Sequence, residues 1–169
     1  MPHSMKKIIP FLALLCALCS CKMQGEAQST PMLSFSVFEH HHDSVTRFFQ
    51  AQPISSTLYL NDTIAALDTV AFYIGASGVY NSLDSLIVRW DTTAIKATFA
   101  VGSDWDKYLD TSKSNIAKGR FHFYPYVVSA SIPMAYIPIK SGTDTLSIHL
   151  ANTSTVFGPV EVAFIQPVR

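Results

Sequence analysis

From residue 33 onward the chain is dominated by short runs in which every second residue is apolar, the period of a strand with one face buried. Leu33, Phe35 and Val37 alternate with Ser34 and Ser36, and Leu58 and Leu60 with Thr57 and Tyr59. Val70, Phe72 and Ile74 alternate with Thr69, Ala71 and Tyr73; Leu86, Val88 and Trp90 with Ile87 and Arg89. Further runs set Ile95, Ala97, Phe99 and Val101 against Lys96, Thr98 and Ala100, Phe121 and Phe123 against His122 and Tyr124, and Leu146, Ile148 and Leu150 against Thr145, Ser147 and His149. The pattern predicts strands over 33–38, 57–60, 69–74, 86–90, 95–101, 121–124, 132–140, 143–150 and 159–166. The last is apolar on both faces and reads as a central strand whose length Pro159 and Pro167 confine. Gly75 to Gly78, Gly102-Ser103-Asp104, Lys118-Gly119, Ser141-Gly142 and Phe157-Gly158-Pro159 punctuate the runs. Segment 104–117 holds a helical turn or a long loop, and 40–49 fits either a strand or a short helix. Short strands without long helical patterns argue for a single all-β domain, an antiparallel β-sandwich, with a closed β-barrel as the alternative.

The alternation has no counterpart before residue 32. Lys6 and Lys7 precede an apolar stretch from Ile8 to Leu18, interrupted only by Pro10, and Leu18-Cys19-Ser20-Cys21 follows. That stretch is too short to cross a hydrocarbon core, which takes ~20 apolar residues as a helix. A basic start, an apolar middle and compact residues before a cysteine resemble a bacterial lipoprotein signal peptide. The resemblance implies cleavage between Ser20 and Cys21, lipid on Cys21, and attachment to a membrane outside the cytoplasm. Translation can start at Met1 or Met5. The expected organisation is a signal peptide over 1–20, a polar tether over 21–31 and the β-sandwich over 32–169. In many Bacteroidetes lipoproteins a lysine and acidic residues just after the cysteine mark surface export. Lys22 and Glu26 match that pattern in part, so the expected address is the outer membrane, with the periplasmic and surface faces both open. Cys16 and Cys19 would leave with the leader, so no thiol or disulfide remains for the domain.

Charge narrows the partners. The chain has 12 Lys/Arg and 12 Asp/Glu, and losing Lys6 and Lys7 leaves ten against twelve, net −2. No basic stripe is present to neutralise phosphates, which argues against nucleic acid as a partner. The late succession Ile132 to Lys140, then Thr143 to Leu150, resembles small immunoglobulin-like lipoproteins of Bacteroidetes. It implies an Ig-like sandwich and brings no active site with it.

Several residue groups could carry chemistry. His40, His42 and Asp43 form a candidate metal site, because imidazoles bind zinc, copper or nickel and a carboxylate can complete the set. On a strand His40 and His42 share a face, and a further ligand would come from Glu39, His122 or His149. Asp104, Asp106 and Asp110 are a candidate calcium cluster without the EF-hand glycine and glutamate; the bland reading has Asp104 capping a short helical segment. Tyr59, Tyr73, His122, Tyr124 and His149 belong to outward sets and could form an aromatic patch for sugars or a protein partner. A repeated Asp-Ser/Thr unit at Ser44, Thr63, Thr69, Ser85, Thr92 and Thr145 resembles the O-glycosylation acceptor of exported proteins in Bacteroides relatives. The same unit serves equally as a turn in which Asp accepts backbone hydrogen bonds. No Gly-x-Ser-x-Gly elbow is present and no spacing selects a catalytic triad or carboxylate pair. The expected protein is a lipid-anchored envelope component, not an enzyme and with no cofactor, that binds protein or glycan or gives structural support. The alternative is a small envelope enzyme or metal-binding protein using His40 to His42.

Overall fold

A computed structural model describes residues 27–42, 45–48, 51–54, 56–60 and 63–169. The leader, Cys21, Asp43, Ser44 and Asp62 lie outside the described residues. The strands are β1 (Met32–His42), β2 (Val45–Phe48), β3 (Ala51–Ile54), β4 (Thr57–Leu60), β5 (Thr69–Ser77), β6 (Leu83–Trp90), β7 (Ile95–Phe99), β8 (Arg120–His122), β9 (Ser129–Pro138), β10 (Gly142–Asn152) and β11 (Val160–Val168). Two short 3₁₀ turns, Ser103–Lys107 and Ile116–Lys118, occupy the stretch between β7 and β8. In the 40–49 region the described residues 40–42 and 45–48 are extended: β1 continues to His42 and pairs antiparallel with β2.

The strands form one sheet in the order β2-β1-β5-β9-β7 and another in the order β3-β4-β11-β10-β6-β8. No ladder joins the two, so the architecture is a sandwich and not a closed barrel. With β1, β5, β9 and β7 as strands A, B, E and D, and β6, β10 and β11 as C, F and G, the order is that of an immunoglobulin constant-type domain. One pairing departs from the antiparallel expectation: β4 runs parallel to β11 over Thr57 to Tyr59. The strand around 159–166 is interior to its sheet, between β4 and β10, as its two-sided apolarity requires. It continues through Pro167, because that residue sits next to the strand end and the N–H it lacks costs little ladder there.

Alternation places Val70, Phe72 and Ile74 of β5, Leu86 and Val88 of β6, Ile132 and Met134 of β9, and Leu146, Ile148 and Leu150 of β10 in the core. At its centre Phe72 stacks on Phe164, with centroids 4.9 Å apart and planes 11° apart. Phe38 stacks against both, and Tyr136 meets both edge-on. A second group joins Phe99 to Phe121 at 5.1 Å and to the half-buried Trp90 at 6.0 Å.

Strand β1 does not keep the alternation that Leu33, Phe35 and Val37 predict. Ser36 pairs with Tyr73 and Glu39 with Ala71, so three steps on β1 face two on β5. This β-bulge reverses the parity, and the inward set passes from Leu33 and Phe35 to Phe38 and His40.

The predicted tether is docked at its end. Ser29 N donates to Asn81 Oδ1 at 3.0 Å and Ser29 Oγ to the Gly78 carbonyl at 2.8 Å. Asn152 Nδ2 donates to the Ser29 carbonyl, and Thr155 N to Gln28 Oε1. The chain thus joins the domain at the end formed by the β5–β6 and β10–β11 connections.

Truncating the ring that faces most of this cluster tests the core. Phe164→Ala is expected to destabilise the fold by about 3–5 kcal/mol, read as a lower midpoint in urea denaturation at unchanged slope. A loss below ~1 kcal/mol would show that the ring does not bind the sheets together.

Candidate functional site

His40 lies inside the sandwich and not on its surface. The bulge turns it inward, where it is 8% exposed and its Nε2 lies 2.6 Å from Oδ2 of the equally buried Asp68. Asp68 Oδ2 also accepts the Ala65 backbone N–H at 2.8 Å. The pair fastens β1 to the turn before β5. His41 pairs instead with Glu39 at 3.1 Å. His122 and His149 belong to the other sheet and do not approach His40. The His42 side chain and Asp43 lie outside the described side chains, and among the described residues no three His, Cys, Asp or Glu side chains gather as a metal site.

The three aspartates of 104–110 are likewise separate. Asp104 and Asp106 stand exposed on the Ser103–Lys107 turn, whose N-cap is Gly102 with no side-chain cap, so Asp104 is not the cap. Asp110 accepts hydrogen bonds from the Ser112 hydroxyl and backbone N–H and pairs with Lys113 at 3.1 Å. The bond from the Ser112 hydroxyl, followed by the one from Lys113, holds its carboxyl below the usual range.

The outward aromatic set divides between faces. Tyr73 belongs to the β5 sheet, while Tyr59, His122 and His149 belong to the β10 sheet. Tyr124, just past β8, stacks on Tyr126 at 5.8 Å. No single patch gathers the five.

Of the Asp-Ser/Thr units, Thr63, Thr92 and Thr145 are exposed, Thr69 is half-buried, and Ser44 lies outside the described residues. Ser85 is 6% exposed and paired between Ala151 and His122. Asp91 shows the turn role: its Oδ1 accepts the Thr93 hydroxyl at 2.7 Å and the Thr93 backbone N–H at 2.8 Å.

What the structure does assemble is a groove of about 840 Å³ on the outer face of the β1-β5-β9 sheet, near the end where the chain joins the domain. Its floor is built of small residues because the outward positions there are Ser34, Ser36, Gly75, Ser129 and Ser131. A Cβ at Gly75 would collide with Ser34 Oγ, so glycine lets that hydroxyl lie across the strand. The hydroxyls of Ser34, Ser36, Ser129 and Ser131 bond to no described residue and remain available. The wall is Trp105 and Tyr108, whose rings meet edge to face at 5.9 Å. Trp105 leans on the core, and the wall is held by the Tyr126 hydroxyl donating to the Lys107 carbonyl and by Tyr124 N donating to the Tyr108 carbonyl at 2.9 Å. Lys107 Nζ lies 5.0 Å from the centre of the Tyr108 ring. A hydroxyl floor beside aromatic walls suits a ligand with apolar C–H faces and many polar substituents. In the sequence Asp-Trp-Asp-Lys-Tyr-Leu-Asp draws attention through its carboxylates, but the fold uses its aromatic rings.

The opposite end holds a polar intrusion into the core. Asp144 shares the inward face of β10 with Leu146 and is 5% exposed, and its Oδ2 has no hydrogen-bond partner among the described residues. Burial pushes its carboxyl above the usual range, partly offset by Lys140. Burial first, and then the Asp144 charge, push the nearby Tyr136 hydroxyl up.

No protein-family model and no curated protein matches the chain. Among solved structures it is similar to S-layer protein SbsC domains 4 and 5, at 14% identity and a TM-score of 0.34. The match covers 73% of this chain and 57% of that one.

Asp144 makes stability depend on pH in a defined direction. Its folded carboxyl holds a proton more tightly than the unfolded one, so stability falls as pH rises from about the ordinary 3.8 through the folded value. Asp144→Asn is therefore expected to melt higher than the parent at pH 7, with the gap closing as pH falls toward 3.8. Melting curves across that range check it; a gap that stays constant would trace the effect to packing instead of titration.

Proposed function

We propose that this protein is a lipid-anchored Ig-like module of the outer envelope that binds glycan in the groove between the serine floor and the Trp105–Tyr108 wall. The groove is the observation that carries the reading: open hydroxyls lie beside an aromatic wall fixed by backbone hydrogen bonds. The Leu18-Cys19-Ser20-Cys21 signal supports the attachment. Because Gln28 and Ser29 are fastened to the 78–82 and 153–155 connections, lipid on Cys21 would turn that end toward the bilayer and leave the far end free.

Two measurements test the two halves of this reading separately. Expression of Cys21→Ser in the native host should give a full-length precursor without lipid by intact mass; normal lipidation of that variant would end the anchoring argument. For binding, the full chain is screened on a glycan array, and each glycan bound is retested with Trp105→Ala and Ser131→Trp. Loss of stacking is expected to weaken binding about tenfold, and the bulky residue on the floor should abolish it. Retention of full affinity by both variants, or no glycan bound, would remove the groove from the function.

A further inference from the structure

The outer face of the other sheet carries a second pocket, of about 440 Å³, at the end away from the docked Ser29. Its polar lining is Arg89 of β6, Lys118 of the Ile116–Lys118 turn, Arg120 and His122 of β8, and Thr92, with Trp90 beside them. No carboxylate is among these lining residues. The register explains the gathering. Ile87 pairs with Arg120 and Ser85 with His122, and Val88 N donates to the Gly119 carbonyl at 2.8 Å. Arg89, two residues beyond Ile87, therefore lies diagonal to Arg120 and across from Lys118. Gly119 is needed for this approach: its φ is 65°, and a Cβ there would lie 2.6 Å from the Val88 carbonyl oxygen and 2.7 Å from the Trp90 ring.

Like charges at such cross-strand positions repel. Ordinarily interleaved carboxylates relieve that repulsion, and here the nearby ones among the described residues take other hydrogen-bond partners and none forms an ion pair with these cations. Asp84 accepts the Ser85 hydroxyl, Asp91 takes Thr93, Asp110 takes Ser112 and Lys113, and Glu161 accepts the Ser147 hydroxyl. Arg89, Lys118 and Arg120 form no ion pair with any described residue. Two guanidinium forks and an ammonium around one concavity fit the spread charge of a tetrahedral oxyanion, which accepts several N–H bonds at once.

We propose that this pocket binds a sulfate or phosphate monoester carried on a saccharide. The site is independent of the serine groove, on the opposite sheet. Trp90 and Ile87 offer apolar surface to the sugar, and Thr92 a hydroxyl at the rim.

Titration calorimetry on the full chain in detergent, with glucose 6-sulfate, glucose 6-phosphate, glucuronate and glucose as probes, decides the matter. At least one ester should bind, weaken as salt rises, and exceed glucose and glucuronate by about tenfold or more. The preferred ester identifies the source of the anion. Arg89→Gln and Arg120→Gln should each cost roughly tenfold, Arg120→Lys less, and Lys96→Gln, on the other sheet, nothing. Arg89, Arg120 and Lys96 are all exposed, and unchanged melting temperatures confirm folding. Absence of ester binding, equal binding of glucose or glucuronate, or an equal loss in Lys96→Gln would overturn the proposal.

Discussion

The stacking of Phe72 on Phe164 is the central aromatic contact between the two sheets. Phe72 comes from the central strand of one sheet and Phe164 from an interior strand of the other, and Phe38, Phe35 and Tyr136 close around them. Antibody domains place a B–F disulfide and a strand-C tryptophan across the same gap. Residues 27–169 contain no cysteine, and Trp90 sits at the end of β6 instead of its middle. Fastening between sheets therefore depends on aromatic area and fit, each ring pair adding ~0.5–1.5 kcal/mol beyond simple burial.

That dependence accounts for the bulge in β1. A strand with regular alternation would direct Phe38 and His40 outward and leave a gap beside Phe72 and Phe164. One extra residue between Ser36 and Glu39 turns Phe38 into the stack. It turns His40 in as well, and an imidazole inside the sheet edge demands a partner, which Asp68 supplies at 2.6 Å. The histidine cluster that suggests metal chemistry in the sequence is thus partly a consequence of core packing.

Strand positions and facing were legible wherever the alternation was unbroken. Val70 to Ile74, Leu86 to Val88 and Leu146 to Leu150 read correctly because a period of two and one buried face leave little freedom. The bulge was not legible, since it depends on what β5 offers opposite Ser36 and Glu39. The parallel β4–β11 pair was hidden for a related reason: it joins segments a hundred residues apart, and local pattern carries no information on which edge they share. The candidate sites suffered most. Tyr73 and Tyr59 are both outward, yet strand order puts them on opposite faces of the sandwich. The groove draws on β1, β5, β9 and a 3₁₀ turn, and no local window contains them together.

Inward and outward positions therefore carry different kinds of information in this chain. Inward residues need only be apolar and of suitable volume, so they announce the fold in any local window. Outward residues acquire meaning only after the sheets are ordered. Serines scattered at 34, 36, 129 and 131 become a continuous hydroxyl floor because β1 and β9 flank β5, whose Gly75 is small enough to leave the floor open. Arg89 and Arg120 become one cationic concavity because β8 returns to β6 after crossing the length of chain that includes β7. The region between β7 and β8 supplies Trp105 and Tyr108 to one face and Lys118 to the other. This long connection, the part with the least periodic sequence, is what gives both faces of an otherwise ordinary sandwich their chemistry.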